Sequence, residues 1–224
     1  MMKLIFTCLL LLVKIFAAPS VYGPTGLIEM PTAESVAYKQ FNVAVDYTMT
    51  ERTNETTDRQ FNITYYKFNL GSFENWELGI LGGTFLEEGV YVNMKHLLMT
   101  NQEEDTLSIS AGFEKIGARN DMSAYLVTSK KFQDGLNGHF GFKAFFQNNF
   151  YAAAMLGFEY FTNETVSFLV DLLGEKSQNY VLNAGVNILI EEDISIRLNI
   201  LDITQNRAAN ETVYTLGISF NRYI

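Results

Sequence analysis

Residues 180–190, YVLNAGVNILI, place Tyr180, Leu182, Ala184, Val186, Ile188 and Ile190 at alternate positions, with Val181, Asn183, Gly185, Asn187 and Leu189 between them. Successive side chains of a strand point to opposite faces, so this period of two describes a strand with one apolar face and one mixed face bearing Asn and Gly. Residues 194–200, ISIRLNI, repeat the pattern, with Ile194, Ile196, Leu198 and Ile200 standing against Ser195, Arg197 and Asn199. Residues 214–221, YTLGISFN, do so again, setting Tyr214, Leu216, Ile218 and Phe220 against Thr215, Gly217, Ser219 and Asn221. Far upstream, residues 41–49 alternate Phe41, Val43, Val45, Tyr47 and Met49 with Asn42, Asp46 and Thr48. No helical period competes over a comparable length.

Between these ends, further strands are expected near residues 60–70, 76–86, 90–98, 106–116, 122–130, 138–147, 150–161 and 165–173, which makes twelve in all. Turn-forming clusters divide them, among them Gly71-Ser72, Glu87-Glu88-Gly89, Gln147-Asn148-Asn149, Thr162-Asn163-Glu164 and Glu191-Glu192-Asp193. Connections this short join antiparallel neighbours as hairpins. Proline points the same way. Pro19, Pro24 and Pro31 are the only three in the chain, so residues 32–224 contain none. Proline removes a ladder donor, and a region built from strands paired on both sides excludes it.

Composition narrows the setting. The chain is 48 % hydrophobic and 14 % aromatic, which excludes intrinsic disorder. Its charged fraction of 18 % lies below the roughly 25 % of average soluble domains, so part of the surface is covered by something other than charge. A net charge of −9 opposes a nucleic-acid partner, which requires clustered Lys and Arg. An even number of strands of about 9 to 11 residues, with short turns and one apolar face, describes an all-β, antiparallel, up-and-down transmembrane β-barrel. Closure removes every edge strand. Trp76, Phe85, Tyr91, Phe113, Tyr160 and Tyr180 fall toward strand ends, where an interfacial aromatic girdle is expected.

With the apolar face outward, the expected lumen-facing residues are Asn42, Asp46, Asn62, Thr64, Glu77, Asn93, Lys95, Glu114, Lys143, Glu159, Asp171, Asn183, Asn187, Arg197, Asn199 and Thr215. Asp46, Glu77, Lys95, Glu114, Lys143, Glu159, Asp171 and Arg197 supply both signs, so internal ion pairs are expected. A wide aqueous pore takes about 16 or more strands, so twelve imply a structural role or at most a narrow channel. The connecting loops are too short for an obvious plug. Two other readings share these strands. A soluble periplasmic barrel binding an apolar ligand would turn the apolar face inward, and a barrel lipid hydrolase would add a His–Ser pair.

Residues 1–18, MMKLIFTCLLLLVKIFAA, have the basic start, apolar stretch and small-residue end of a secretory signal peptide, with cleavage expected after Ala17 or Ser20. Residues 19–37 then form a segment leading into a barrel of residues 38–224. Cys8 is the only cysteine and lies in the signal, so no disulfide, thiolate nucleophile or cysteine-bound metal is expected in the mature chain. An exported, acidic, cysteine-free chain fits a bacterial outer membrane. The expected partners are outer-membrane lipid and the barrel assembly machinery. The Asn-x-Thr sequons at Asn54, Asn62, Asn163 and Asn210 reflect the abundance of Asn and Thr.

Residues 22–36, YGPTGLIEMPTAESV, resemble the segment that precedes the first strand in a group of bacterial outer-membrane barrels including the YjbH-like proteins, which are linked to exopolysaccharide export. Gly23, Gly26, Leu27, Pro31, Thr32 and Ala33 carry the resemblance. It implies a barrel of this general type, with envelope or exopolysaccharide traffic as the associated role. Read physically, the two glycines permit a tight turn with the chain tucked against the barrel mouth. The C-terminus, TLGISFNRYI, resembles the signal read by the assembly machinery at Thr215, Gly217 and Phe220 and departs from it at Arg222 and Ile224.

No catalytic or cofactor-binding residues are expected. His96 and His139 lack the spacing of a zinc pair, and His139 reads as a residue of the barrel rim. Neither His96-Leu97-Leu98 nor His139-Phe140-Gly141 offers the serine that a barrel phospholipase places two residues away. Gly79-Ile80-Leu81-Gly82-Gly83 lacks the Lys-Ser/Thr of a phosphate loop.

Overall fold

The computed structural model describes residues 18–50, 61–84, 89–100, 107–118, 121–132, 135–146, 150–174, 179–207 and 212–224. The expected signal peptide, Cys8 and Phe85 lie outside the described residues, apart from Ala18. Twelve strands follow one another: β1 (Gln40–Thr50), β2 (Phe61–Phe73), β3 (Trp76–Gly83), β4 (Val90–Met99), β5 (Ser108–Ile116), β6 (Ser123–Lys131), β7 (Leu136–Phe145), β8 (Tyr151–Phe161), β9 (Val166–Gly174), β10 (Tyr180–Glu191), β11 (Ile194–Leu201) and β12 (Val213–Tyr223). Each pairs antiparallel with its sequence neighbours, and β1 pairs with β12 to close the barrel. The closing register sets Ala44 opposite Ser219 and Asp46 opposite Gly217.

The two mouths differ. Residues 74–75, 132–135, 162–165 and 192–193 make short connections at the mouth shared with the C-terminus, where only residues 100–107 are longer. Residues 51–60 and 202–212 are the longest connections at the opposite mouth. At the short-turn mouth Asn75 takes φ 67, a left-handed conformation that Asn tolerates in a tight hairpin.

The sheet has its apolar side outward. Tyr66, Phe68, Ile80, Leu126, Phe140, Phe142, Phe168, Leu198, Leu216 and Ile218 are all exposed. Their inward neighbours Lys67, Asn69, Lys95, Ser110, Asp171, Asn183, Asn199 and Thr215 are buried. Three expectations are corrected by this register. In β2 the odd-numbered Lys67 and Asn69 face inward, so Asn62 and Thr64 face outward, paired with Met49 and Tyr47. They lie at the loop end of the strand, where the outer face leaves the apolar belt and a polar side chain costs little. Tyr91 points inward and is buried, so it is no part of a girdle.

The third correction concerns the lumen itself. Although the loops are short, much of the interior is filled, because residues 18–36 pass into it instead of resting against its mouth. Ala18, Val21, Leu27, Ile28, Met30, Ala33 and Val36 are each at most 3 % exposed. Val21, Leu27 and Ile28 pack on Leu169 and Leu201, and Met30 and Ala33 pack on Tyr125, Val127, Met155 and Leu173. Gly23 turns with φ 110, which a side chain would strain. Gly157 of β8 supplies clearance, since a Cβ there would run into the Leu27 side chain and stand 3.0 Å from Met30 Sδ. The chain leaves the lumen at the exposed residues Ala37 and Tyr38 and turns into β1 at Lys39, whose φ is 63.

Candidate functional site in the barrel lumen

The inner wall meets residues 18–38 through charged and amide side chains that address the segment's main chain. On the acceptor side, Asp171 of β9 takes the N–H groups of Ile28 (3.1 Å), Glu29 (2.8 Å) and Met30 (3.0 Å) on one carboxylate oxygen. Its other oxygen accepts from Asn183 Nδ2 at 2.7 Å. Glu77 of β3 takes the N–H groups of Thr25 (2.8 Å) and Val36 (2.9 Å) and the Thr25 hydroxyl (2.6 Å). Ser129 of β6 accepts from Ala33 N–H at 2.8 Å.

Donors answer the carbonyls. Arg197 of β11 donates to Pro19 O (2.9 Å), Leu27 O (2.7 Å) and Gly26 O (3.2 Å). Lys95 of β4 reaches Thr25 O (2.6 Å) and Glu34 O (2.7 Å), and Lys67 of β2 reaches Ser20 O (2.7 Å). Asn69, Asn93 and Ser110 donate to Gly23 O, Tyr22 O and Ala33 O. Buried charges are tolerated when paired or hydrogen-bonded: Asp171 and Arg197 are satisfied by hydrogen bonds alone, and the lysines add ion pairs. Lys67 pairs with Asp46, Lys95 with Glu77 at 3.8 Å, and Lys143 with Glu114 at 2.5 Å.

Toward the long-loop mouth the segment contributes its own charge. Glu29 pairs with Arg207 and accepts from Asn183 Nδ2 at 2.9 Å. Burial alone would raise its carboxyl, but the Arg207 guanidinium and the hydrogen bonds around it hold the group below the ordinary carboxylate value. Lys115 Nζ sits 3.8 Å from the centre of the Tyr22 ring. Beside these groups a cavity of about 150 Å³ remains, lined in part by Tyr22, Glu29, Glu114, Lys143, Phe145 and Arg207.

Of the eight charged residues expected in the lumen, Glu77, Lys95, Asp171 and Arg197 converge on residues 18–38, and Asp46 adjoins them through Lys67. Glu114 and Lys143 form their pair beside the cavity. Glu159 stands apart, half-buried, accepting from Ser167 (3.0 Å) and Asn137 (3.4 Å). His139 is buried on the inner face of β7, 2.7 Å from Ser129 Oγ, and is not a rim residue. It lies opposite Ser129 in the β6–β7 register, inside the short-turn mouth. Lys67, Asn69, Ser110 and Ser129 were not singled out by the sequence. The alternation Tyr65-Lys67-Asn69 carries the signal for the first two, but the polar residues that open β2 on the other parity obscure it.

No family model matches this sequence, and no curated protein matches it. The likeness of residues 22–36 to YjbH-like proteins therefore has no support from sequence comparison. Solved structures do share the fold. A KdgM porin superposes with a TM-score of 0.63 at 13 % identity, covering 80 % of this chain and 98 % of that one. Outer membrane protein Omp33 of Acinetobacter baumannii gives 0.54 at 9 % identity, covering 82 % and 98 %. An outer membrane channel from Pseudomonas putida F1 gives 0.51 at 10 % identity, covering 86 % and 98 %. This chain has the fold of bacterial outer-membrane porins: an all-β, closed, antiparallel barrel of twelve strands.

Proposed function

We propose that this protein is an outer-membrane β-barrel with a narrow-channel role, its bore held by its own residues 18–38. The observation that carries the reading is the division of the wall: an apolar outer surface suited to lipid around an inner surface bearing carboxylates, lysines and an arginine. A soluble barrel for an apolar ligand needs the reverse arrangement, with the apolar face of the sheet turned inward. The porin and channel likenesses support a passage for small polar solutes. Outer-membrane lipid is the partner of the belt, and the assembly machinery reads the C-terminal strand. The mature chain begins after removal of the leading apolar residues. The envelope setting extends to exopolysaccharide traffic only with the lumen emptied, because a saccharide chain has no room beside Leu27, Ile28 and Met30.

The test is twofold. The protein is expected in the detergent-extracted outer-membrane fraction, migrating faster on a gel unheated than boiled. In planar bilayers it should pass small ions in steps below those of a 16-stranded porin. A freely soluble mature protein would overturn the membrane reading, and a membrane-inserted protein that passes no current in any variant would overturn the channel role.

A further inference from the structure

The barrel closes without residues 18–37. Its ladder runs from β1 to β12 and back, while the segment's main chain bonds to itself as far as Ala37, whose carbonyl accepts from Gln40 N–H at the start of β1 (2.9 Å). Ser20 N–H donates to Pro24 O (2.7 Å), Val21 to Ile28 O (2.7 Å), Gly26 to Ala18 O (3.0 Å) and Leu27 to Met30 O (2.9 Å). The main-chain tie to the wall comes at the exit, where Lys39 N–H donates to Gly71 O at 3.0 Å. Removing the segment therefore breaks no strand pair.

What holds residues 18–38 is the set of wall side chains that read N–H and C=O groups, which every peptide has. Asp171 gathers three consecutive N–H groups, and Arg197 and Lys95 between them gather five carbonyls. Selectivity comes from the apolar contacts of Val21, Leu27, Ile28 and Met30 and from the clearance at Gly157. When the segment leaves, Lys67, Lys95 and Lys143 keep their carboxylate partners, and water replaces the main-chain groups on Asp171 and Arg197, so hydrogen bonds are exchanged and not simply lost.

We infer that the lumen is a peptide-binding site and that residues 18–37 are its resident, displaceable ligand. The chemical class it takes is a turn-forming peptide with apolar residues at the positions of Leu27, Ile28 and Met30. Peptide occupancy of the lumen is separate from whether ions cross it.

A protease recognition sequence inserted between the exposed Ala37 and Tyr38 of the full chain cuts the tether in the folded, vesicle-reconstituted protein. The fragment should then dissociate on washing, and a fluorescent synthetic peptide of residues 18–37 should bind saturably to the cut protein. The uncut protein should bind it roughly tenfold or more weakly, since its tethered segment competes at high effective concentration. An Ile28→Asp peptide should not bind. A fragment that stays through washing and admits no peptide would overturn the proposal, as would equal binding of both peptides to cut and uncut protein. Peptide exchange without any change in bilayer current would uphold the proposal and count against the channel role. Should the insertion prevent folding, hydrogen exchange on the native chain answers instead. The amides of Ile28, Glu29 and Met30 should exchange together, roughly tenfold or more faster than strand amides, and equal protection would overturn the proposal.

Discussion

Replacing Asp171 by alanine should loosen residues 18–38 without opening the barrel. Asp171 is fully buried, and one of its oxygens receives three consecutive main-chain N–H groups at 2.8 to 3.1 Å. Each hydrogen bond to a charged acceptor contributes about 1.5–3 kcal/mol when its partner is left unsatisfied, and water entering the vacated space lowers this toward about 1 kcal/mol each. Three such bonds make about 3 kcal/mol, or roughly a hundredfold change in the equilibrium between seated and released segment. The β8–β9 and β9–β10 ladders do not depend on the carboxylate, so the closed sheet should persist. Met30→Cys in a Cys8→Ser background reports release, because Met30 is completely buried when the segment is seated. Its modification by a water-soluble thiol reagent should be about a hundredfold faster with Asp171→Ala, while heat-modifiable migration is kept. A change below about threefold, under 1 kcal/mol, would refute the idea that this carboxylate latches the segment.

Gly157→Leu should also expose Met30→Cys, since the added side chain occupies the space of Leu27 and Met30, and an unchanged labelling rate would contradict the packing. Lys95→Met leaves the buried Glu77 without its cation, which costs about 3–5 kcal/mol, and should lower the temperature at which the fast-migrating form is lost. The double variant Lys95→Met/Glu77→Gln should regain part of that loss, and equal loss in both would show that charge pairing is not the cause. Ile218→Lys, at the middle of β12 on the exposed apolar face, should destabilise folding into lipid vesicles by about 2–4 kcal/mol in reversible denaturant titrations. An effect below about 0.5 kcal/mol would place that face in water.

The alternation in residues 180–190, 194–200 and 214–221 marks β10, β11 and β12 to within two residues, because a sheet with one apolar and one polar face imposes a period of two along each strand. The weaker reading of β2 has a physical cause. Asn62 and Thr64 open the strand beyond the apolar belt, where polarity no longer reports direction, and Lys67 and Asn69 set the true parity. The lumen was legible mainly from its wall. Asp171, Glu77, Lys95 and Arg197 stand out as charges on inward positions, but the sequence does not reveal that they bind main-chain groups, since main-chain groups leave no trace in residue identity. The apolar character of Val21, Leu27, Ile28, Met30 and Val36 did carry a signal, because five such residues are poorly suited to a solvated leader. Short loops hid the plug because it comes from the chain's leading segment and from no hairpin.

The placement of that segment is tested most directly by a disulfide. In Cys8→Ser protein reconstituted into lipid vesicles, Ala33→Cys/Ser129→Cys joins a segment residue to the inner face of β6, where Ala33 N and Ser129 Oγ are 2.8 Å apart. Ala33→Cys/Thr128→Cys pairs it with the adjacent outward position. The expected result is near-complete cross-linking of the first pair under mild oxidation and none of the second. Equal cross-linking of both pairs, or failure of the first in protein with heat-modifiable migration, would contradict a lumen filled by residues 18–38.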